Sequence, residues 1–469
     1  MSEFAPLKWS DEEFNKWRYI QDDFADQVAE AIILSPHAMQ VYRALGNINR
    51  NDDPVDISIF EDSKDRTKKT DEEHDRLVTL LNEYFYDKRH FDFNPEEKKV
   101  ITKASDFYSA RITDCTLALA VRSLLKQYAA TKACYVLVFT KLLTQYPHRR
   151  ILETMQFVMD VMDPRGMEPD GYAIRSIQKL RLIHAMIRSR IKHGGYDVKS
   201  FGEFNDKEWG LPINQMDMIL AIHTFSIEVL DGLTANKNKF TEEEKESFYL
   251  CWHYYAKALG VKDEINPWNY TDGKALQERI YNSQFTTPNP NGPILAEPLV
   301  TFLQDIMPFR PKVADIYSVI VMYNDEKDFP LFKQSLGVPL DEANKHLLTF
   351  MKDGDKLMNG ILSLKYLFTP NHKKASMYNA MAMTEFNFLD KIVNVEKTWG
   401  DKHFRVADGF GDIFAKEDEK KTEERPSLMV YIMHKLFFKD SGGNEKTAFH
   451  KMFDSVFTKQ EKNYNEYHK

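Results

Sequence analysis

The chain has 469 residues, 43% of them hydrophobic and 13% aromatic, with a formal net charge of −8. That is enough apolar material for a sizeable core, in two or three units or in one large helical domain, and the negative charge excludes nucleic acid as the main partner because phosphate binding needs a positive field. No apolar run near the ~18 residues of a membrane span stands out. The opening MSEFAPLKWSDEEF has neither a signal-peptide core nor a twin-arginine pair. Cys115, Cys134 and Cys251 are the only cysteines and are widely spaced. They make no disulfide framework, no CxxC site and no CxxCH motif, and they fit a reducing compartment. A cytoplasmic protein is expected.

Helical signals dominate the chain. Ser10 followed by Glu13 forms a capping box and opens a helix towards Leu34. Residues 49–75 are mostly polar and charged, include Pro54, and predict a loop. Thr70 and Glu73 form a second box near its end, leading into a helix through about Tyr86. Residues 106–143 are mostly apolar and are expected to hold two helices. Arg149 to Asp163 is a helix ended by Pro164, and Tyr172 to His193 is one ended by Gly194 and Gly195. Asn214 caps a helix running to Leu230, with Gly232 just beyond its end. Thr241 and Glu244 open a helix within Phe240 to Leu259. PNPNGPILAEP, Pro288 to Pro298, predicts a connector. Further helices follow, interrupted by PNHKK near Pro370 and by the charge run KEDEKKTEER, Lys416 to Arg425, a solvated loop or helix face. No internal repeat or set of alternating strands is present. The expected class is all-α.

The chemistry is concentrated between Arg149 and Gly232. In IRSIQKLRLIHAMIR, Arg181, His184 and Arg188 lie at i, i+3 and i+7 and share a helix face, which Ile177 and Ile191 extend. Two guanidinium neighbours disfavour imidazolium and keep the ring neutral, and a neutral imidazole is the usual proximal ligand of haem iron. The same arginines could pair with haem propionates. The plainer interpretation, a partly buried histidine between surface arginines, is the one that periodicity alone favours.

One helix earlier, in RRILETMQFVMDVMDP, Arg150, Glu153 and Thr154 cluster on one side, and Phe157, Val158 and Val161 continue the stripe as apolar surface. A polar end followed by an apolar wall suits a pocket that orients oxygen and holds a lipophilic substrate. A capped amphipathic helix with an Arg150–Glu153 surface pair gives the same pattern. WGLPINQMDMILAIHTFS starts the third helix through a Gly-x-Pro turn, and His223 shares a face there with Met216, Ile219, Leu220 and Ile227. His223 is either a second ligand or, as the apolar face favours, a core histidine.

These three blocks resemble the rubber oxygenase (latex-clearing protein) and mpaB-type oxygenase family. FNKWRYIQDDFADQVAEAI is similar to the family's opening helix, and SLLKQYAA (Ser123 to Ala130) to the helix before the distal one. The resemblance implies a non-covalent haem b with His184 on the iron, a globin-like haem-binding core with further helices at both ends, and Arg150 and Thr154 on the distal side. Arg181, Arg188 and His223 are then the other cofactor-binding candidates. Two positions depart from the latex-clearing pattern. Those members carry a lysine immediately before the distal threonine, where this chain has Glu153. They also carry a glutamate upstream of the distal arginine, where TKACYVL (Thr131 to Leu137) offers only Ala133 or Cys134.

The expected organisation is an N-terminal helical extension at 1–110, a haem-binding core at 111–260 and a C-terminal helical region at 261–469. The expected activity is oxidation of a small lipophilic alkene, an isoprenoid or unsaturated lipid, with O2, cleaving a carbon–carbon double bond. The rivals are a peroxidase-like or dehydratase-like haem enzyme on the same scaffold, and a haem-binding sensor or carrier without turnover. Glu153 is a candidate acid/base because burial in an apolar pocket raises a carboxyl pKa towards neutrality.

Overall fold

The structure, a computed structural model, describes residues 4–35, 68–87, 93–139, 147–163, 166, 173–193, 204–285, 289–306 and 312–349. The interruption expected near Pro370 and the charge run Lys416 to Arg425 lie outside the described residues. Among those described there is no strand. The protein is all-α.

The first helical stretch is not continuous. The Ser10 and Glu13 capping box is present, but α1 ends after Asp11–Lys16, and α2, Asp23–Leu34, restarts on an Asp22 cap that accepts from the Ala25 N–H. The reason is tertiary. The carbonyls of Arg18 and Ile20 accept from the N–H groups of Leu211 and Gln215 at 2.8 and 2.9 Å, so the chain opens there to receive the loop after Trp209. The next helix, α3 (Lys68–Asn82), starts before Thr70 and runs into a π turn at Glu83–Asp87.

Where two helices were expected over 106–143, the chain breaks more often. An Asn94 and Glu97 capping box opens α4, Pro95–Ala110. There follow α5 (Ile112–Ala118), a π turn at Leu119–Ser123, α6 (Leu124–Ala129) and α7 (Thr131–Phe139). The site helices come next, α8 (Pro147–Met162) and α9 (Ala173–Lys192). After the short α10 (Asp206–Trp209), Asn214 caps α11, Gln215–Phe225, by accepting from the Met216 and Asp217 N–H groups.

A bend at Ser226 separates α11 from α12, Ile227–Ala235. Gly232 lies inside α12 rather than after it. A Cβ there would meet the Ala118 Cβ at 2.9 Å, so the glycine lets α12 pack directly on α5. The stretch Gln215–Ala235 is long and apolar enough, by length and composition, to cross a membrane, which corrects the expectation that no such run exists; 72% of its most apolar window is buried inside this protein.

Thr241 and Glu244 form their expected box and open α13, Glu242–Ala258, followed by α14, Tyr270–Gln284. The expected connector is shorter than its prolines suggested. Helix α15, Gly292–Ile306, holds Pro298 in its interior. Two further helices close the described fold, α16 (Val313–Met322) and α17 (Phe329–Leu336).

Packing follows the aromatic residues. Helix α4 lies on α13 through Phe107, whose ring is 5.2 Å from that of Phe248 and 5.7 Å from that of Phe240. One cluster of buried apolar side chains extends from Phe14 to Leu340. Ions are also buried in it. Arg122, from the Leu119–Ser123 π turn, donates to Glu228 at 2.8 Å and to the Tyr323 carbonyl at 3.0 Å, with Lys126 3.4 Å from the same carboxylate. The cationic neighbours hold Glu228 down at about 2 against the opposing effect of its burial, so it stays ionised in the core.

Candidate haem-binding site

Helices α8 and α9 pack against each other. Arg150 is half-buried in the first turns of α8, and one turn on the Thr154 hydroxyl donates to its carbonyl at 2.9 Å. That bond uses the hydroxyl proton, so Thr154 meets any ligand with its lone pairs. Glu153 lies on the same helix, but its side chain is outside the described residues. Phe157, Val158 and Val161 are buried, as the apolar stripe requires.

His184 sits in the middle of α9. Burial, then the charges of Arg188 and Arg150, push its imidazole down to about 3, with only Asp22 opposing. The ring is therefore neutral throughout the physiological range. Its Nδ1 is buried and meets no hydrogen-bond partner in the protein, while part of the residue's surface is accessible. The charge of Arg150 thus reaches this ring from α8, the helix packed against α9.

The two arginines that share the His184 stripe are turned to α2. Arg181 holds Asp22 in a two-point pair, Nε to Oδ2 at 2.5 Å and Nη2 to Oδ1 at 2.8 Å. Arg188 donates from Nε to Asp26 at 2.6 Å and from Nη1 to the Ile213 carbonyl at 3.3 Å. Its Nη2 is buried without a partner in the protein. Burial raises the Asp26 carboxyl even though Arg188 pulls it down. Sequence reasoning missed Asp22 and Asp26. Their i, i+4 spacing in DDFAD was visible, but nothing local says that their partners lie on a helix about 160 residues away.

His223 belongs to another neighbourhood. It is fully buried, both ring nitrogens are without hydrogen-bond partners, and burial with the charge of Lys274 pushes it down to about 3 while Glu228 opposes. The charges that act on His184, those of Arg188, Arg150 and Asp22, are not among them. His223 thus answers to different charges from His184, and its full burial without hydrogen-bond partners is that of a core residue.

The segment Thr131 to Leu137 offers no carboxylate. The Cys134 thiol is buried beside Asn289, with Sγ to Oδ1 at 3.9 Å, and burial pushes it up to about 12. A buried carboxyl does stand nearby, also missed from sequence. Gln284 accepts from the Lys132 and Ala133 N–H groups at 3.0 and 3.2 Å and donates to Asp217 at 3.4 Å. Burial raises Asp217 to about 6 despite Arg18 and a bond at Asn214.

Among the described residues, no group of histidine, cysteine, aspartate and glutamate side chains could hold a metal ion alone. A single neutral imidazole with an unpartnered nitrogen, near cations, suits a metal that brings most of its ligands with it, as iron in a porphyrin does. The residues fit haem in that sense.

Residues 111–320 match the family described as ER-bound oxygenase mpaB/B'/Rubber oxygenase, catalytic domain. This region is similar to that family. The chain is 23% identical over 158 residues to a rubber oxygenase from a Streptomyces species, an alignment that covers 34% of this chain and 37% of the relative. The chain thus matches little more than a third of that relative's length. Its fold is similar to that of latex clearing protein LCP in the closed state, with a TM-score of 0.56 and 17% identity over 80% of this chain and 91% of the other. The matched catalytic-domain region holds Arg150, Thr154, His184 and both arginines of the His184 stripe. Their partners Asp22 and Asp26 lie before it, so the N-terminal helices complete the electrostatics of the domain.

Proposed function

We propose that this chain is a haem b-dependent oxygenase, with a globin-like core, acting on a small lipophilic alkene such as an isoprenoid or unsaturated lipid. His184 would hold the iron, and Arg150, Glu153 and Thr154 would serve the reacting oxygen and substrate. Cleavage of the double bond by one O2 into two carbonyl products is the reaction expected. A cytoplasmic location and a small rather than polymeric substrate are part of this proposal.

The observation that supports it most directly is the state of His184, neutral, desolvated and without a hydrogen-bond partner at Nδ1, under the charges of Arg188 and Arg150. When bound, haem supplies the dioxygen chemistry that side chains cannot perform. The chain's own residues do the rest. Arg150 would offer a positive charge to negative charge developing on oxygen. The Thr154 hydroxyl is held by the Arg150 carbonyl and would accept, rather than donate, a hydrogen bond from a bound molecule. Phe157, Val158 and Val161 keep water away from a hydrocarbon substrate. Propionates would find Arg188 Nη2 as a donor, since Arg181 is already committed to Asp22.

The second reading is a peroxidase-like haem enzyme, or a haem-binding sensor or carrier. It is favoured by Cys134, whose raised pKa makes it unfit to replace the upstream carboxylate of the latex-clearing proteins. An absorption spectrum of the purified protein in pyridine tests for b-type haem. Product formation from alkenes under O2 then separates the oxygenase from both rivals, and peroxide-dependent dye oxidation separates a peroxidase from a carrier. A spectrum without haem would sink every one of these readings.

A further inference from the structure

Three ion pairs join α2 to α9. Asp22, Asp26 and Glu30 lie at i, i+4 and i+8, so they form one ridge of α2. They meet Arg181, Arg188 and Lys192 in that order, so the two helices run in the same direction along this seam. His184 lies between the first and second pairs in sequence.

The pairs differ in what they leave over. Arg181 gives both Nε and Nη2 to Asp22, with Gly260 packed against the two. Lys192 meets Glu30 at 3.4 Å in an exposed pair, where water can satisfy both groups. The middle pair is buried at Arg188 and incomplete. Its Nε donates to Asp26 at 2.6 Å and its Nη1 to the Ile213 carbonyl at 3.3 Å, while Nη2 is buried and meets no partner among the described residues. A guanidinium is planar and rigid, so bonds at two of its nitrogens fix where the third one points. The bond to Asp26 is the shorter of the two and joins two ions, which makes it the stronger. Asp26 therefore does most to aim Nη2.

Arg188 stands one turn after His184 on the same face of α9, and its charge is the largest acting on that ring. A buried cationic donor without an acceptor is costly. A group that enters here gains by bringing an acceptor, and gains most if that acceptor is negative.

We propose that Asp26 is a positioning residue of the cofactor site: it acts through Arg188, holding the guanidinium so that Nη2 is presented to a carboxylate of the bound group. This rests on the haem reading above, in which the propionates are such carboxylates. It also makes α2, which lies before the matched region 111–320, a working part of the site.

The probe is hemin, titrated into the full chain freed of haem and followed by its Soret absorption. Asp26→Ala should weaken hemin binding about 10-fold or more, the scale of a lost hydrogen bond to a charged group. Asp26→Asn keeps an oxygen that accepts from Nε, and should bind hemin within about twofold of the parent, the scatter of independent effects. Placed on Arg188→Leu, Asp26→Ala should add no further loss, because the residue through which Asp26 acts is gone. If Asp26→Ala does not fold, Asp26→Glu takes its place: it keeps the charge but displaces it by one methylene, and should weaken hemin several-fold. An Asp26→Asn as weak as Asp26→Ala, or an Asp26→Glu equal to the parent, would show that charge rather than position matters and overturn the proposal. A loss that persists in full on Arg188→Leu would overturn it too, by showing that Asp26 acts through the docking of α2. A parent protein that takes up no hemin would instead overturn the haem reading, and the proposal with it.

Discussion

Arg181 grips Asp22 through two hydrogen bonds, and Gly260 is pressed against the pair. A Cβ on Gly260, whose φ is +89°, would meet the Asp22 carboxylate at 2.1 Å and the Arg181 Nε at 2.8 Å. The bridge thus ties the N-terminal α2 to the His184 helix and leaves no room for a side chain at position 260.

Breaking this bridge should cost much more than a surface pair would, because both groups are buried and removing one strands the other. Asp22→Ala is expected to lower stability by about 3–5 kcal/mol, the range for uncompensated buried charges. Gly260→Ala should destabilise through both the collision and the left-handed backbone. Urea denaturation followed by circular dichroism measures both. A loss below about 1 kcal/mol for Asp22→Ala, the level of a surface salt bridge, would show that the pair is solvated in solution.

The two buried histidines should separate cleanly. His184→Ala is expected to strip haem or change its Soret band severely in a protein that remains helical, whereas His223→Ala should keep the band. His223 has no hydrogen-bonded nitrogen to lose. The reverse outcome would mean that iron is held on α11 rather than α9.

Asp217 sets a pH dependence of definite sign. Its carboxyl rises from an unfolded value of about 3.9 to about 6 in the fold, chiefly through burial. The folded state therefore binds more protons between those values, and stability falls as pH rises through that window. About two units correspond to roughly 3 kcal/mol at about 1.36 kcal/mol per unit. Asp217→Asn removes this effect, so the variant's stability relative to the parent should grow by up to that amount between about pH 4 and pH 6. His223 and His253, pushed down to about 3 and about 4, act in the opposite direction. Being common to both proteins, they cancel in the difference. Parallel melting curves across pH would contradict the assignment.

Glu153 replaces the lysine of the latex-clearing pattern and is the remaining carboxylate of the α8 polar end. If it is the base, Glu153→Gln should retain haem and slow turnover by roughly 100-fold or more. Turnover within about a factor of two of the parent, far short of the usual general-base contribution, would make it a helix-surface residue paired along the helix with Arg150.

The helical class, the caps at Ser10, Asn214 and Thr241, and the α8 and α9 blocks were legible in the sequence because each depends on residues within a turn or two of one another. The His184 stripe was legible for the same reason, since an i, i+3, i+7 spacing is a property of one helix. Local rules failed where distant backbone or packing decided the outcome. The break after Lys16 exists to admit residues 211–215, Gly232 sits inside a helix to approach Ala118, and Pro298 is kept within α15. The carboxylates that answer Arg181 and Arg188 come from α2, across a separation in sequence that no periodicity spans. By itself, the sequence determined which helix faces are polar and which residue types they carry. Only the tertiary structure decided which faces meet, because burial removes the water that would otherwise satisfy each charge and makes its partner, or the lack of one, set its chemistry.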